Sequence, residues 1–189
     1  MNGEYSVSYI IGVVVGFVLI FGIMFFVSKQ LNADKSMKTK YDERQQIVRG
    51  EAYKYSFWTM VFLVMIYAFI DSSGIELPCV NSVVIIAIIM TSIVVHAVYC
   101  IIHDGYFGIN NKPKSYYILF IFLGLFNFFI GIINTIRGVL IIDGKLDIPF
   151  ANYIAGFMFI IVGISIIIRH MMNKTDDIDD EDEDGEDSE

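Results

Sequence analysis

Five runs of this chain, residues 7–27, 52–70, 80–102, 116–136 and 150–168, are apolar and long enough to cross about 30 Å of hydrocarbon as helices. Read as five crossings, they divide the basic residues unequally between two sides. The connection between the first two runs, with the start of the second, holds Lys29, Lys35, Lys38, Lys40, Arg44, Arg49 and Lys54. Lys112 and Lys114, then Arg169 and Lys174, fall on the same side as those seven. Only Arg137 and Lys145 fall on the other side. Lys and Arg are retained on the cytoplasmic side during insertion, so the bias predicts an outer N-terminus and a cytoplasmic C-terminus.

Composition agrees. The chain is 56% hydrophobic with a mean hydropathy of +0.62, outside the range of soluble domains. Its net charge of −8 comes from the closing acidic stretch, and the remainder is mildly basic, as loops beside an anionic inner leaflet would be. Cys79 and Cys100 lie towards opposite ends of the third run. That is roughly 30 Å apart at ~1.5 Å per residue, too far to pair within one chain. The first run is expected to be a retained helix, because no Lys or Arg precedes Lys29 and no A-x-A cleavage site follows it.

The end of the fourth run has two readings. Gly144 can cap a helix reaching residue 142, with Arg137 snorkelling outward, or Asp143-Gly144 can turn a short hairpin. The helix is preferred, since a lone two-stranded hairpin is marginal. Tyr5, Tyr9, Tyr53, Tyr55, Phe57, Trp58, Tyr116 and Tyr117 sit at run ends, where aromatic belts form. The turns after the second and fourth runs also align, from Asp71 through Gly74 and Pro78 to Asn81, and from Asp143 through Gly144 and Pro149 to Asn152. Two same-direction hairpins, or turns reusing the same residue types, both account for this.

The most distinctive stretch is residues 41–54, reading YDERQQIVRGEAYK. Asp42 is placed to cap a helix with Gln45 at its third position, a capping-box variant. That helix is predicted to run unbroken into the second crossing. Glu43, Gln46, Gly50, Tyr53 and Phe57 then share a face, and Gly50 admits a close partner. Arg44, Arg49 and Lys54 can meet lipid phosphates. Asp42, Glu43, Arg44, Gln45, Arg49, Gly50 and Lys54 are the candidate docking residues for a cytoplasmic partner; a lipid-anchored helix with no further role is the plainer reading.

This motif, with Arg49-Gly50-x-Ala52-x-Lys54 and the later Gly131-Ile-Ile-Asn134 and Ile142-Asp143-Gly144, resembles a group of small, uncharacterised bacterial membrane proteins found mainly in Gram-positive species. The resemblance covers Tyr41 to about Arg169. It implies a polytopic protein of the bacterial plasma membrane and carries no substrate, cofactor or catalytic residue with it.

Gly124, Asn127, Gly131, Asn134 and Gly138 recur at steps of three and four, with Asn152, Gly156 and Gly163 on a matching face of the fifth run. Small residues let helices approach closely in lipid and Asn can hydrogen-bond across the contact. The same Asn residues, with His96, are the candidate lining of a polar pathway. His96, Cys100 and His103 follow one side of the third helix. An interhelical hydrogen bond is the plainest use of His96, a proton relay a rarer one; no fourth ligand completes a metal set. Residues 171–189 are expected to be a disordered acidic tail, since the Asp180-x-Asp182-x-Asp184-Gly185 start of an EF-hand loop has no Glu at its twelfth position.

No phosphate-binding loop, zinc-protease motif or serine-nucleophile motif is present. The expected protein is therefore an all-α bundle of five transmembrane helices, divided as residues 1–27, a basic connection 28–54, a four-helix region 55–170 and the tail. It is expected to be non-enzymatic, with no cofactor and no nucleic-acid partner. It would act as an accessory, regulatory or sensory subunit through a protein partner or as a homo-oligomer, with a small-solute or ion transporter as the alternative.

Overall fold

The computed structural model describes residues 39–186, together with Asp34 and six positions between 14 and 27; side chains are described as far as residue 173. Among the described residues, four helices are long and apolar enough to cross a membrane. In chain order they are α1 (Glu43–Ser72), α2 (Asn81–Ile102), α3 (Pro113–Ile136) and α4 (Ala151–Glu186). The run at residues 7–27 lies outside the described residues, save for those six positions.

The burial pattern is that of a membrane bundle. Phe62, Phe69, Phe122 and Phe129 are all at least 60% exposed. Buried apolar side chains concentrate instead where α2 meets α4, around Ala97, Ile101, Val162 and Ile166. Such an exposed aromatic surface is tolerated only where the surroundings are themselves apolar. The helices pack in the order α1, α2, α4, α3. The second helix of each hairpin is thus central.

The ends of the helices follow from local chemistry. Asp42 accepts from the Gln45 backbone N–H while the Gln45 side chain accepts from the Asp42 N–H, a complete capping box. From there α1 runs unbroken for 30 residues. At ~1.5 Å per residue that is about 45 Å, so roughly ten residues extend past a 30 Å core.

The preferred reading of the fourth run is overturned. The helix α3 stops at Ile136, because Gly138 takes a φ of 69° and the N–H groups of Gly138 and Val139 bond back to the carbonyls of Thr135 and Asn134. This is a Schellman closure with Gly138 at C′, so Gly138 leaves the packing stripe and stands exposed. Residues 141–142 and 145–146 form the hairpin β1–β2, turned by Asp143 (φ 51°) and Gly144 (φ 77°). Two positive φ values are what a two-residue hairpin turn requires. The hairpin is not alone: Leu146 donates to the Pro78 carbonyl at 2.8 Å and accepts from the Val80 N–H at 2.9 Å. The two similar turns therefore hold each other, and Lys145 pairs with Glu76 at 3.5 Å.

A second difference lies in the acidic stretch, whose backbone stays helical to Glu186. Extending a helix that is already nucleated fixes few dihedrals per hydrogen bond gained, so α4 propagates into a sequence that would not start a helix alone.

The α3–α4 contact rests on reciprocal glycines. A Cβ at Gly124 would meet Ile160 and lie 3.1 Å from the Gly156 carbonyl oxygen, and one at Gly156 would lie 3.1 Å from that of Gly124. Tyr153 covers Gly131 and Ile121 covers Gly163. Gly124→Val is therefore expected to lower stability in detergent by about 1–3 kcal/mol, the usual cost of overpacking. Thermal unfolding followed by circular dichroism would measure it, and the exposed change Phe129→Leu is expected to leave the midpoint nearly unchanged.

Candidate functional site: the polar clasp and the free face of α1

The most polar part of the described structure lies where α1 begins, α2 ends, α3 begins and α4 passes. It is organised by the connection at residues 103–112. Asp104 holds a left-handed φ of 57°, a conformation that Asp and Asn adopt more readily than other side chains. That turn points its carboxylate at α4, where Arg169 grips it with two parallel hydrogen bonds, Nε to Oδ1 at 2.9 Å and a second from Nη2 to Oδ2. The paired guanidinium holds the Asp104 carboxyl below the usual carboxylate range. The Asp104 carbonyl is used as well: the Gln45 amide donates to it at 3.3 Å and to the Phe107 carbonyl at 2.9 Å.

The chain ahead of α1 is tied to the same connection. Asn110, 8% exposed, accepts from the Lys40 backbone N–H at 3.0 Å and donates to Asp34 at 3.1 Å. Ile109 donates to the Lys40 carbonyl at 2.9 Å, and Lys40 pairs with Asp34 at 3.1 Å. Glycine permits this approach: a Cβ at Gly108 would collide with the Lys40 carbonyl, and one at Gly105 with Val48. Tyr106, Phe107, Tyr116 and Phe120 close the cluster with edge-to-face contacts and pack on the α2–α4 core. Burial pushes the Tyr106 hydroxyl up, well above its ordinary value.

The candidate docking residues thus divide in two. Asp42 and Gln45 are spent on the cap and the clasp, and Arg49 lies over the Tyr41 ring, 4.1 Å from its centroid. Glu43, Arg44, Gly50 and Lys54 are exposed. With Ile47, 66% exposed, the residues Glu43, Gly50 and Lys54 form a stripe opposite Ala52, which is fully buried on the α2 side. Nothing lies within 4 Å of where a Gly50 Cβ would stand.

The pathway candidates are not brought together. His96 turns towards α1, its ring 4.3 Å from that of Tyr53, with Cys100 Sγ 3.8 Å from its Nε2. Its Nδ1 is buried near Ala52 without a hydrogen bond of normal geometry. His103 lines the opposite side of the α1–α2 contact, stacked on Tyr99 with its Nδ1 2.9 Å from the Tyr99 carbonyl oxygen. Asn127 lies on α3 and donates to its own helix at the Leu123 carbonyl, 2.8 Å away. Asn152 likewise donates locally to the Pro149 carbonyl. Asn134 lends its carbonyl to the Schellman closure. No group of three or more His, Cys, Asp or Glu among the described residues is placed to hold a metal ion.

Compared with known proteins, the chain matches no family model, no curated sequence and no solved structure.

Because Asn also tolerates a left-handed φ, Asp104→Asn removes the charge without straining the turn. It is expected to cost about 1.5–3 kcal/mol, the range for charge-assisted hydrogen bonds. The native pair contributes fully above the ordinary carboxylate pKa of about 4. Its contribution falls away as pH drops through the lowered folded value. The gap between wild-type and Asp104→Asn melting points, measured from pH 7 down to pH 3, is therefore expected to narrow as the pH falls below the ordinary carboxylate range; a constant gap would show that the charge is not what holds the clasp.

Proposed function

We propose that this chain is a non-enzymatic, five-crossing protein of the bacterial plasma membrane, N-terminus outside and C-terminus in the cytoplasm. In this reading it is an accessory, regulatory or sensory subunit that recruits a protein partner on the free face of α1. The Lys and Arg bias supports the orientation, and the motif resemblance at residues 41–54 supports the membrane. The observation that carries the docking reading is the stripe of Glu43, Ile47, Gly50 and Lys54. It stands at the end of α1 that extends past the hydrocarbon, and it holds an apolar side chain and an open glycine while the residues around it are pinned by the clasp. An exposed Ile flanked by charges at the aqueous edge of a helix is a docking pattern rather than a lipid-facing one.

A photo-crosslinking residue at position 47 or 50, introduced in native membranes, is expected to give one discrete adduct that the Lys54→Glu variant weakens. The same probe at position 129 is expected to give lipid adducts only. Smears of equal intensity at all three positions would sink the docking reading. Orientation is checked separately in a chain whose Cys79 and Cys100 are replaced. A membrane-impermeant maleimide is expected to label Cys at position 145 in intact cells, and Cys at position 46 only after permeabilisation.

A further inference from the structure

Two apolar grooves of similar size flank the α1–α2 contact, and their upper rims carry opposite charge. One, about 460 Å³, is lined by Tyr53, Phe57, Met60, Ile89, Ile93 and His96. The other, about 480 Å³, runs between Tyr55, Thr59, Val98 and His103. Above the second stands Glu51, whose carboxylate accepts from the Tyr99 hydroxyl at 2.7 Å. Arg49 comes one helical turn before Tyr53 of the first, on the same face of α1, with its guanidinium over the Tyr41 ring. Arg49 also lines a separate cavity of about 620 Å³ with Lys40, Tyr41 and Gln46. Among the described residues it has no carboxylate within 4.0 Å. A guanidinium supported by an aromatic face and lacking an acid presents a planar fork of donors suited to phosphate oxygens.

The dimensions fit one lipid. Arg49 to Met60 spans about 16 Å at 1.5 Å per residue, close to half of a ~30 Å hydrocarbon core. A phosphate at Arg49 therefore puts an acyl chain along Tyr53, Phe57 and Ile93 within one leaflet. We propose that the Arg49-side groove between α1 and α2 is a stoichiometric site for one anionic phospholipid, its phosphate met by Arg49 and its acyl chain laid against Phe57, Met60 and Ile93. The Glu51-side groove, with the same apolar character, rejects that headgroup by charge. The site rests on α1 and α2 crossing a bilayer; it does not depend on which end faces the cytoplasm or on a protein partner.

The test is native mass spectrometry of the full chain in detergent, with phosphatidylglycerol or phosphatidylcholine of identical acyl chains added. The wild type is expected to retain one phosphatidylglycerol at least tenfold more readily than phosphatidylcholine. Arg49→Gln is expected to bring the two to near equality, while Arg49→Lys and Glu51→Gln keep the preference. Ile93→Trp, which fills the groove, is expected to remove the bound lipid. Equal retention of both lipids by the wild type, an Arg49→Gln preference unchanged from it, or full retention by Ile93→Trp would each overturn the proposal. Displacement of the lipid by inorganic phosphate would do so too, since it would show a site for a free anion. Partner crosslinking at positions 47 and 50 reads the opposite face of α1 and can fail independently.

Discussion

Asp104 is the residue on which the polar end of the bundle depends, because both of its acceptor groups are used between different helices. Its carboxylate binds Arg169 of α4 and its main-chain carbonyl accepts from Gln45 of α1, while the residue itself follows the last turn of α2. The left-handed backbone at this position allows both at once, since it turns the side chain and the carbonyl towards separate neighbours. The pair is only partly exposed, with side-chain exposures of 34% for Asp104 and 26% for Arg169. It therefore keeps more of its attraction than a surface pair does. Once three helices meet at one residue, the remaining bonds of Asn110, Lys40 and Gly108 have fixed partners to reach.

The two helical hairpins are held by different physics. In α3–α4, glycine lets the backbones approach until carbonyl oxygens face the opposing glycine, and the contact is a matter of shape. In α1–α2 the only fully buried residue of α1 is Ala52, and rings fill the sides: Tyr53 on His96, Tyr55 on Tyr99, Tyr99 on His103. Rings standing beside a narrow contact leave grooves where a continuous seam of small residues would leave none.

How much of this was legible in the sequence depended on sequence separation. The capping box of Asp42 and Gln45 involves residues three apart, and its side-chain types announce it. The facing glycines of α3 and α4 were legible because helical periodicity alone puts them on one stripe. The contacts of Gln45, Asn110 and Arg169 with partners 59 to 76 residues away were not, since no local preference encodes them. The turn-rich run from Asp104 to Asn111, with its two glycines and paired asparagines, was the available signal that this connection does more than reverse the chain. The hairpin at residues 141–146 failed for the same reason. Two strands are marginal by themselves, and the third segment, Pro78 to Val80, arrives from the other helical hairpin.

Polar side chains at the clasp and side chains on the rest of α1 are used differently. At the polar end, the carboxylates of Asp34, Asp42 and Asp104 and the amides of Gln45 and Asn110 are committed to bonds inside the chain. These side chains serve the fold. Other groups on α1 have another character: an exposed Ile47 beside an open Gly50, and the Arg49 guanidinium over the Tyr41 ring. They lie on different faces of α1 within one turn of each other. Both faces belong to the helix whose first turn Gln45 ties to the connection after α2.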